Sequence, residues 1–141
     1  MSPESPVPAH GGPWRAALAI IAAVATAIAL LVAVEAFGAA VHPFPAGFGG
    51  THDEVCAHVA RYPAWVLAAV IPMWGGAAML TSWVARRVGR GRIAPGVAGG
   101  LLVAALGFNL AMLPYPWWFR AGAFVAVAGG AWLGGRPWGR A

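Results

Sequence analysis

The stretch AALAIIAAVATAIALLVAV, Ala16 to Val34, decides what kind of object this chain is. It runs 19 residues without a charge, and at 1.5 Å of rise per residue such a helix covers most of a hydrocarbon core roughly 30 Å thick. Lipid offers the backbone no water to bond, so a helix that satisfies its own peptide groups is what this run can form there. Three more apolar blocks follow, at Ala64 to Ala85, Ile93 to Leu113 and Ala121 to Gly135. The first three blocks contain nothing strongly polar except Asn109 and a few hydroxyls. The fourth is shorter, rich in Gly and Ala, and free of charge only after Arg120.

Composition agrees with lipid as the main solvent. The chain is 60% hydrophobic and 9% charged, against about a quarter charged in soluble domains. The expected fold is all-α, an integral membrane four-helix bundle with spans near residues 14–41, 63–86, 93–113 and 116–135. These form one domain, 14–135, with an outer connection at 42–62 and a cytoplasmic tail at 136–141. Residues 1–13 are rich in Pro, Ser and Gly and read as a disordered cytoplasmic tail. The rival for the first block is a cleaved secretory signal, because Gly38 to Val41 offers small residues. Its apolar run exceeds the usual signal core of about 7–15 residues, which favours a span.

Arginines set the expected orientation. With both termini cytoplasmic, seven of the nine arginines fall inside and only Arg61 and Arg120 outside, as the positive-inside bias prefers. The net charge of +5 then reads as topology and contact with anionic lipid at Arg86, Arg87, Arg90 and Arg92. Nucleic acid is excluded as a partner, since RRVGRGR, Arg86 to Arg92, is a tight turn between two spans.

Helix packing inside lipid depends on close backbone approach at small residues. Gly96 and Gly100, and Gly130 and Gly134, each stand four apart and are expected to serve packing within the bundle, a dimer seam being the alternative. Pro72, followed by Gly75 and Gly76, predicts a kink in the second span, either as packing accommodation or as the frame of a ligand site. Tyr62, Trp65, Tyr115, Trp117, Trp118 and Phe119 mark one membrane interface; Trp14, Trp83, Trp132 and Trp138 mark the other.

An ionisable group in a span needs a partner. Glu35 lies about six residues, roughly 9 Å of rise, from the expected end of the first helix at Val41. Asn109 and Arg120 reach a similar depth from their own helix ends. The three are expected to form one polar cluster, with a Glu35–Arg120 ion pair and the amide satisfying what remains. Its role is a lock on helix register or, alternatively, a proton- or cation-responsive site.

The outer connection contains GGTHDEVCAHVARYP, Gly49 to Pro63. THDE fits a capping box, with Thr51 accepting from the Glu54 amide and Glu54 reaching back. A short amphipathic interfacial helix over about 51–61 is expected. The competing metal reading uses His52, Cys56, His58 and Glu54 or His42. Zinc accepts such N, S and O ligands, but His52 with Cys56 and Glu54 with His58 point in different directions, and no usual ligand spacing occurs. Cys56 as a nucleophile lacks an oxyanion donor and an independent base.

The segments VEAFGAAVHPFP, YPAWVLAAVIPMWGG and FNLAMLPYPWWF resemble a family of small four-helix bacterial integral membrane proteins with no assigned activity. The resemblance covers Glu35 to Phe119 and implies the bacterial inner membrane. It also implies that Glu35, His42, Pro43, Asn109, Pro114 and Trp117 form one outward-facing constellation. Small multidrug exporters carry a glutamate in the middle of helix 1 and fluoride channels a distinctive glycine and Arg-Tyr opening; neither matches here.

The functional expectation is a non-enzymatic protein, without cofactor, that acts as an oligomer or as an accessory subunit of a membrane complex, because no helix carries a continuous polar stripe. The alternative is a small transporter or channel for protons, cations or another small solute, centred on Glu35 and the Pro72 kink. A metal- or thiol-dependent enzyme ranks third.

Overall fold

A computed structural model of the protein describes residues 12–137. Nearly all of the expected N-terminal tail, together with Trp138 and Arg140, lies outside them. The described residues form five helices: α1 (Pro13–Val41), α2 (His52–Val59), α3 (Ala64–Gly89), α4 (Ile93–Met112) and α5 (Trp117–Gly135). The described residues contain no strand. Three of the helices, α1, α3 and α4, are long and apolar enough to cross a membrane.

Proline and left-handed backbone set most of the boundaries. Pro13 opens α1 where its missing N–H costs nothing, and Pro43 follows the α1 cap at His42. Pro63 and Pro116 occupy the N-caps of α3 and α5. Arg90 ends α3 at φ 53°, a left-handed cap that usually falls to glycine. Pro72 is exposed within α3, and the helix continues unbroken past it to Gly89. Pro72 thus removes one backbone hydrogen bond without ending the helix.

α3 is the central helix, packed against α1, α4 and α5. Its contact with α5 is a backbone contact. A Cβ at Gly130 would fall on the carbonyl oxygen of Gly75, 3.0 Å from its carbon. One at Gly134 would fall on the carbonyl oxygen of Met79. The Gly130/Gly134 spacing thus serves the bundle, as expected. Gly96 and Gly100 do not: nothing lies within 4 Å of a Cβ built at either. The close approach on α4 is made by Gly99, whose Cβ would stand 3.1 Å from that of Ala131. A 3.6-residue period turns Gly96 and Gly100 away from the face that Gly99 shares with Ala98.

Two apolar clusters differ in side-chain size. Toward the α3–α4 turn, Ala19 and Ala23 of α1 pack with Ala85, Ala94 and Ala98. Toward α2, the core is built from larger groups, including Val34, Leu67, Leu106, Leu110 and the fully buried Phe119. Alanines let helix axes approach closely, whereas larger side chains hold them apart. The α2 end consequently has room for cavities.

At the arginine end, Arg86 Nη1 donates to the Gly135 carbonyl at 3.1 Å, capping the last turn of α5. Arg87 lies over Trp83 at 5.0 Å and Arg136 over Trp132 at 3.8 Å, both cation–π distances.

Candidate functional site

The segment between α1 and α3 folds over the wide end of the bundle. Its anchor is the capping box. The Glu54 amide donates to Thr51 Oγ1 at 3.4 Å, and Glu54 Oε2 accepts from the Thr51 amide at 3.0 Å and the Gly49 amide at 3.1 Å. These bonds, those from Thr51 first, hold the Glu54 carboxyl below the usual carboxylate range. Thr51 is the N-cap, and α2 ends at Val59, shorter than the expected 51–61.

Oriented this way, α2 turns His58 and Val59 inward. The His58 ring stacks on His42 at 4.3 Å between centroids and on Phe44 at 4.4 Å, and Tyr62 meets His42 at 4.6 Å. Nε2 of both histidines is buried without a hydrogen-bond partner in the protein. Burial, then the neighbouring His42 and Arg61, push the His58 pKa below its ordinary 6.5. The result is an aromatic cover made from the α1 cap, the loop and α2.

Beneath it lie two cavities that meet at the same three side chains. The one under the cover, about 150 Å³, draws its walls from all five helices and the Tyr62 and Tyr115 connections. The other, about 250 Å³, extends toward the arginine end between apolar walls that include Leu31, Ala77, Leu102, Leu106 and Val127. Glu35 of α1, Trp74 of α3 and Asn109 of α4 line both. Trp74 Nε1 and Asn109 Oδ1 are buried and make no hydrogen bond within the protein, a condition that costs roughly 1–3 kcal/mol for each group. Glu35 itself is exposed on the flank of the isolated chain. Burial, and then the Glu35 charge, raise the pKa of Tyr62, and the same causes in the same order push Tyr115 up to about 12. Both phenols therefore remain protonated donors beside the carboxylate.

The expected cluster is corrected on one member. Glu35 and Asn109 share both cavities, but Arg120 lines neither. Its Nε donates to the Tyr115 carbonyl at 2.9 Å and its Nη2 to the Leu113 carbonyl at 3.1 Å, and it pairs with no carboxylate among the described residues. Two prolines, Pro114 and Pro116, shape this connection, and the guanidinium in the first turn of α5 donates to its carbonyls, that of Leu113 also accepting from the Tyr115 amide. The groups of the metal reading are divided among three places. Cys56 Sγ and His52 Nε2 stand 3.5 Å apart, His42 and His58 stack elsewhere, and Glu54 belongs to the cap. Among the described residues no three His, Cys, Asp or Glu side chains gather as a ligand set.

Sequence reasoning missed Trp74, Tyr62 and Tyr115 as site residues. Trp74 carried a signal: unlike the belt tryptophans it sits in mid-helix, where its N–H has no interfacial water to bond. Comparison with known proteins gives no match, for no protein-family model, curated protein or solved structure is similar to the chain. The functional reading therefore rests on the residues themselves.

Proposed function

We propose that this chain is a four-span protein of the cytoplasmic membrane that binds and carries a small solute at the junction of Glu35, Trp74 and Asn109. Both termini are cytoplasmic, α2 lies at the outer interface, and α5 is the fourth span. One observation carries the reading: three helices each bring a polar group to the point where two cavities adjoin, and two of those groups have no partner in the protein. A register lock would spend these groups on one another. The orientation is supported by the arginines at the α3–α4 turn, which also favour contact with anionic lipid. Proteoliposomes loaded with a pH-sensitive dye and challenged with gradients of ammonium, carboxylate and sodium salts test carriage. The expected result is an internal pH response to at least one salt that Glu35→Gln abolishes. A wild-type response equal to that of protein-free liposomes for all three sinks the carrier reading.

A second reading, self-association, is favoured by the outward face of α4. Gly96 and Gly100 are exposed there, with open space beyond their Cα atoms, and Phe108 lies 70% exposed on the same helix. Small residues four apart let a second helix approach closely. Cross-linking in native membranes tests it: a dimer band lost in Gly100→Leu supports the seam, and an unchanged band removes it.

A further inference from the structure

Among the described residues the cavity walls contain one carboxylate, that of Glu35, and no lysine or arginine to match it, His58 being the one histidine in the walls. Arg120, the partner expected from the sequence, is held by the Leu113 and Tyr115 carbonyls. An anionic solute would meet an unopposed carboxylate there, and a neutral one would leave it uncompensated in an apolar wall.

The hydrogen-bonding inventory narrows the class further. The Glu35 carboxyl and Asn109 Oδ1 offer acceptors, Trp74 Nε1 and the Tyr62 and Tyr115 hydroxyls offer donors without charge, and what remains for a ligand to bring is a cation able to donate. A hard metal ion asks for about six oxygen ligands with more than one charge among them, whereas the described side chains of both cavities offer oxygen only from Glu35, Asn109, Tyr62 and Tyr115, with a single carboxylate. The adjoining cavity of about 250 Å³ is apolar apart from the junction itself, which suits a hydrocarbon body rather than a hydrated ion. Trp74 and Phe119, with ring centroids 5.6 Å apart, add aromatic surface beside the charge. Glu35, Leu31 and Ala105 are exposed on the side of the bundle between α1 and α4, so the junction opens laterally, toward what would be the bilayer.

Resting on the solute-site reading above, we propose that the ligand is a lipophilic primary or secondary ammonium ion arriving from the bilayer between α1 and α4. Its nitrogen donates to Glu35 and Asn109 Oδ1 while its hydrocarbon body fills the cavity toward the arginine end. A hydroxyl or ether oxygen near the nitrogen would accept from Trp74 Nε1.

Binding of hexylammonium, hexanol and hexanoate to the full chain in phosphatidylcholine nanodiscs tests the class. Wild type is compared with Glu35→Gln and Asn109→Leu, because partition into lipid is common to all three and cancels. Hexylammonium is expected to bind wild type, with affinity reduced at least about 10-fold by Glu35→Gln and by a smaller factor in Asn109→Leu. Arg120→Gln is expected to leave it unchanged. Thermal melts of each variant separate lost binding from lost folding, and Asn109→Leu removes the acceptor without altering charge. Hexanol or hexanoate binding as tightly as hexylammonium, with the Glu35→Gln effect retained, overturns the ammonium class and leaves the solute site standing. Equal binding of all three probes to wild type and to both folded variants overturns the class and the site together.

Discussion

A methyl group added at Gly130 should unlock the α3–α5 contact, whereas the same methyl at Gly96 should not. At Gly130 the new Cβ would collide with the Gly75 carbonyl oxygen, lying 3.0 Å from its carbon and 3.3 Å from the Gly75 Cα. All three obstacles are backbone, so no side chain can swing aside. The helices must separate by something on the order of 1 Å, and van der Waals contacts along the seam weaken steeply over such a gap. Overpacking of this kind costs about 1–3 kcal/mol in ordinary cores. The upper part of that range is expected here, because lipid supplies no hydrophobic pressure to hold the helices together. At Gly96 nothing stands within 4 Å of the new Cβ, and alanine in a helix interior is better than glycine by roughly 0.5–1 kcal/mol. Thermal unfolding in one mild detergent, read by loss of monodisperse protein, should lower the midpoint for Gly130→Ala and hold or raise it for Gly96→Ala. Equal midpoints for the two variants would refute the seam.

Gly134→Ala should behave like Gly130→Ala, since its Cβ meets the Met79 carbonyl; a neutral result in that assay would confine the seam to Gly75. Arg90→Gly should stabilise by about 1 kcal/mol, because the left-handed φ of 53° strains any residue with a Cβ; a lowered midpoint contradicts the strain. His58 makes stability depend on pH. Its folded pKa lies below 6.5, so the unfolded chain binds the proton first and stability falls as pH drops from about 6.5 toward the folded value, where the loss levels off. His58→Phe should flatten that slope in melts run across this window; an unchanged slope assigns it to another group. Glu54→Gln should speed hydrogen exchange at the Gly49 and Thr51 amides, which now donate to the carboxylate; unchanged rates mean that the box does not hold in solution.

The helices were the legible part. Apolar runs opened or closed by Pro13, Pro43, Pro63 and Pro116 place those four boundaries, although α3 runs on to Gly89, past the expected 86, and THDE identified the α2 cap to the residue. Arg120 was misread because depth along a helix says nothing about azimuth. A guanidinium in the first turn of α5 also finds loose carbonyls at the adjacent connection before it finds a carboxylate on another helix. Glu35 and Asn109 were legible as polar groups at one depth, whereas Trp74 was not, for a related reason. A search for a polar stripe on one helix cannot find a junction that takes one side chain each from α1, α3 and α4. Gly96 and Gly99 show the same limit in glycine, for spacing identifies a face and the neighbour on that face comes only from the fold.

The glycine contact between α3 and α5 bears on how the chain is made. On the four-span reading, α5 is the segment least able to leave the translocon on its own apolarity, and it emerges from the ribosome after the other three. A finished α3 already in the bilayer offers it a backbone groove at Gly75 and Met79, with Arg86 waiting at the far end for its final carbonyl. Insertion of the last segment then becomes a docking event that requires the second span to be in place, so a lesion in that groove would surface first as failed biogenesis and degradation.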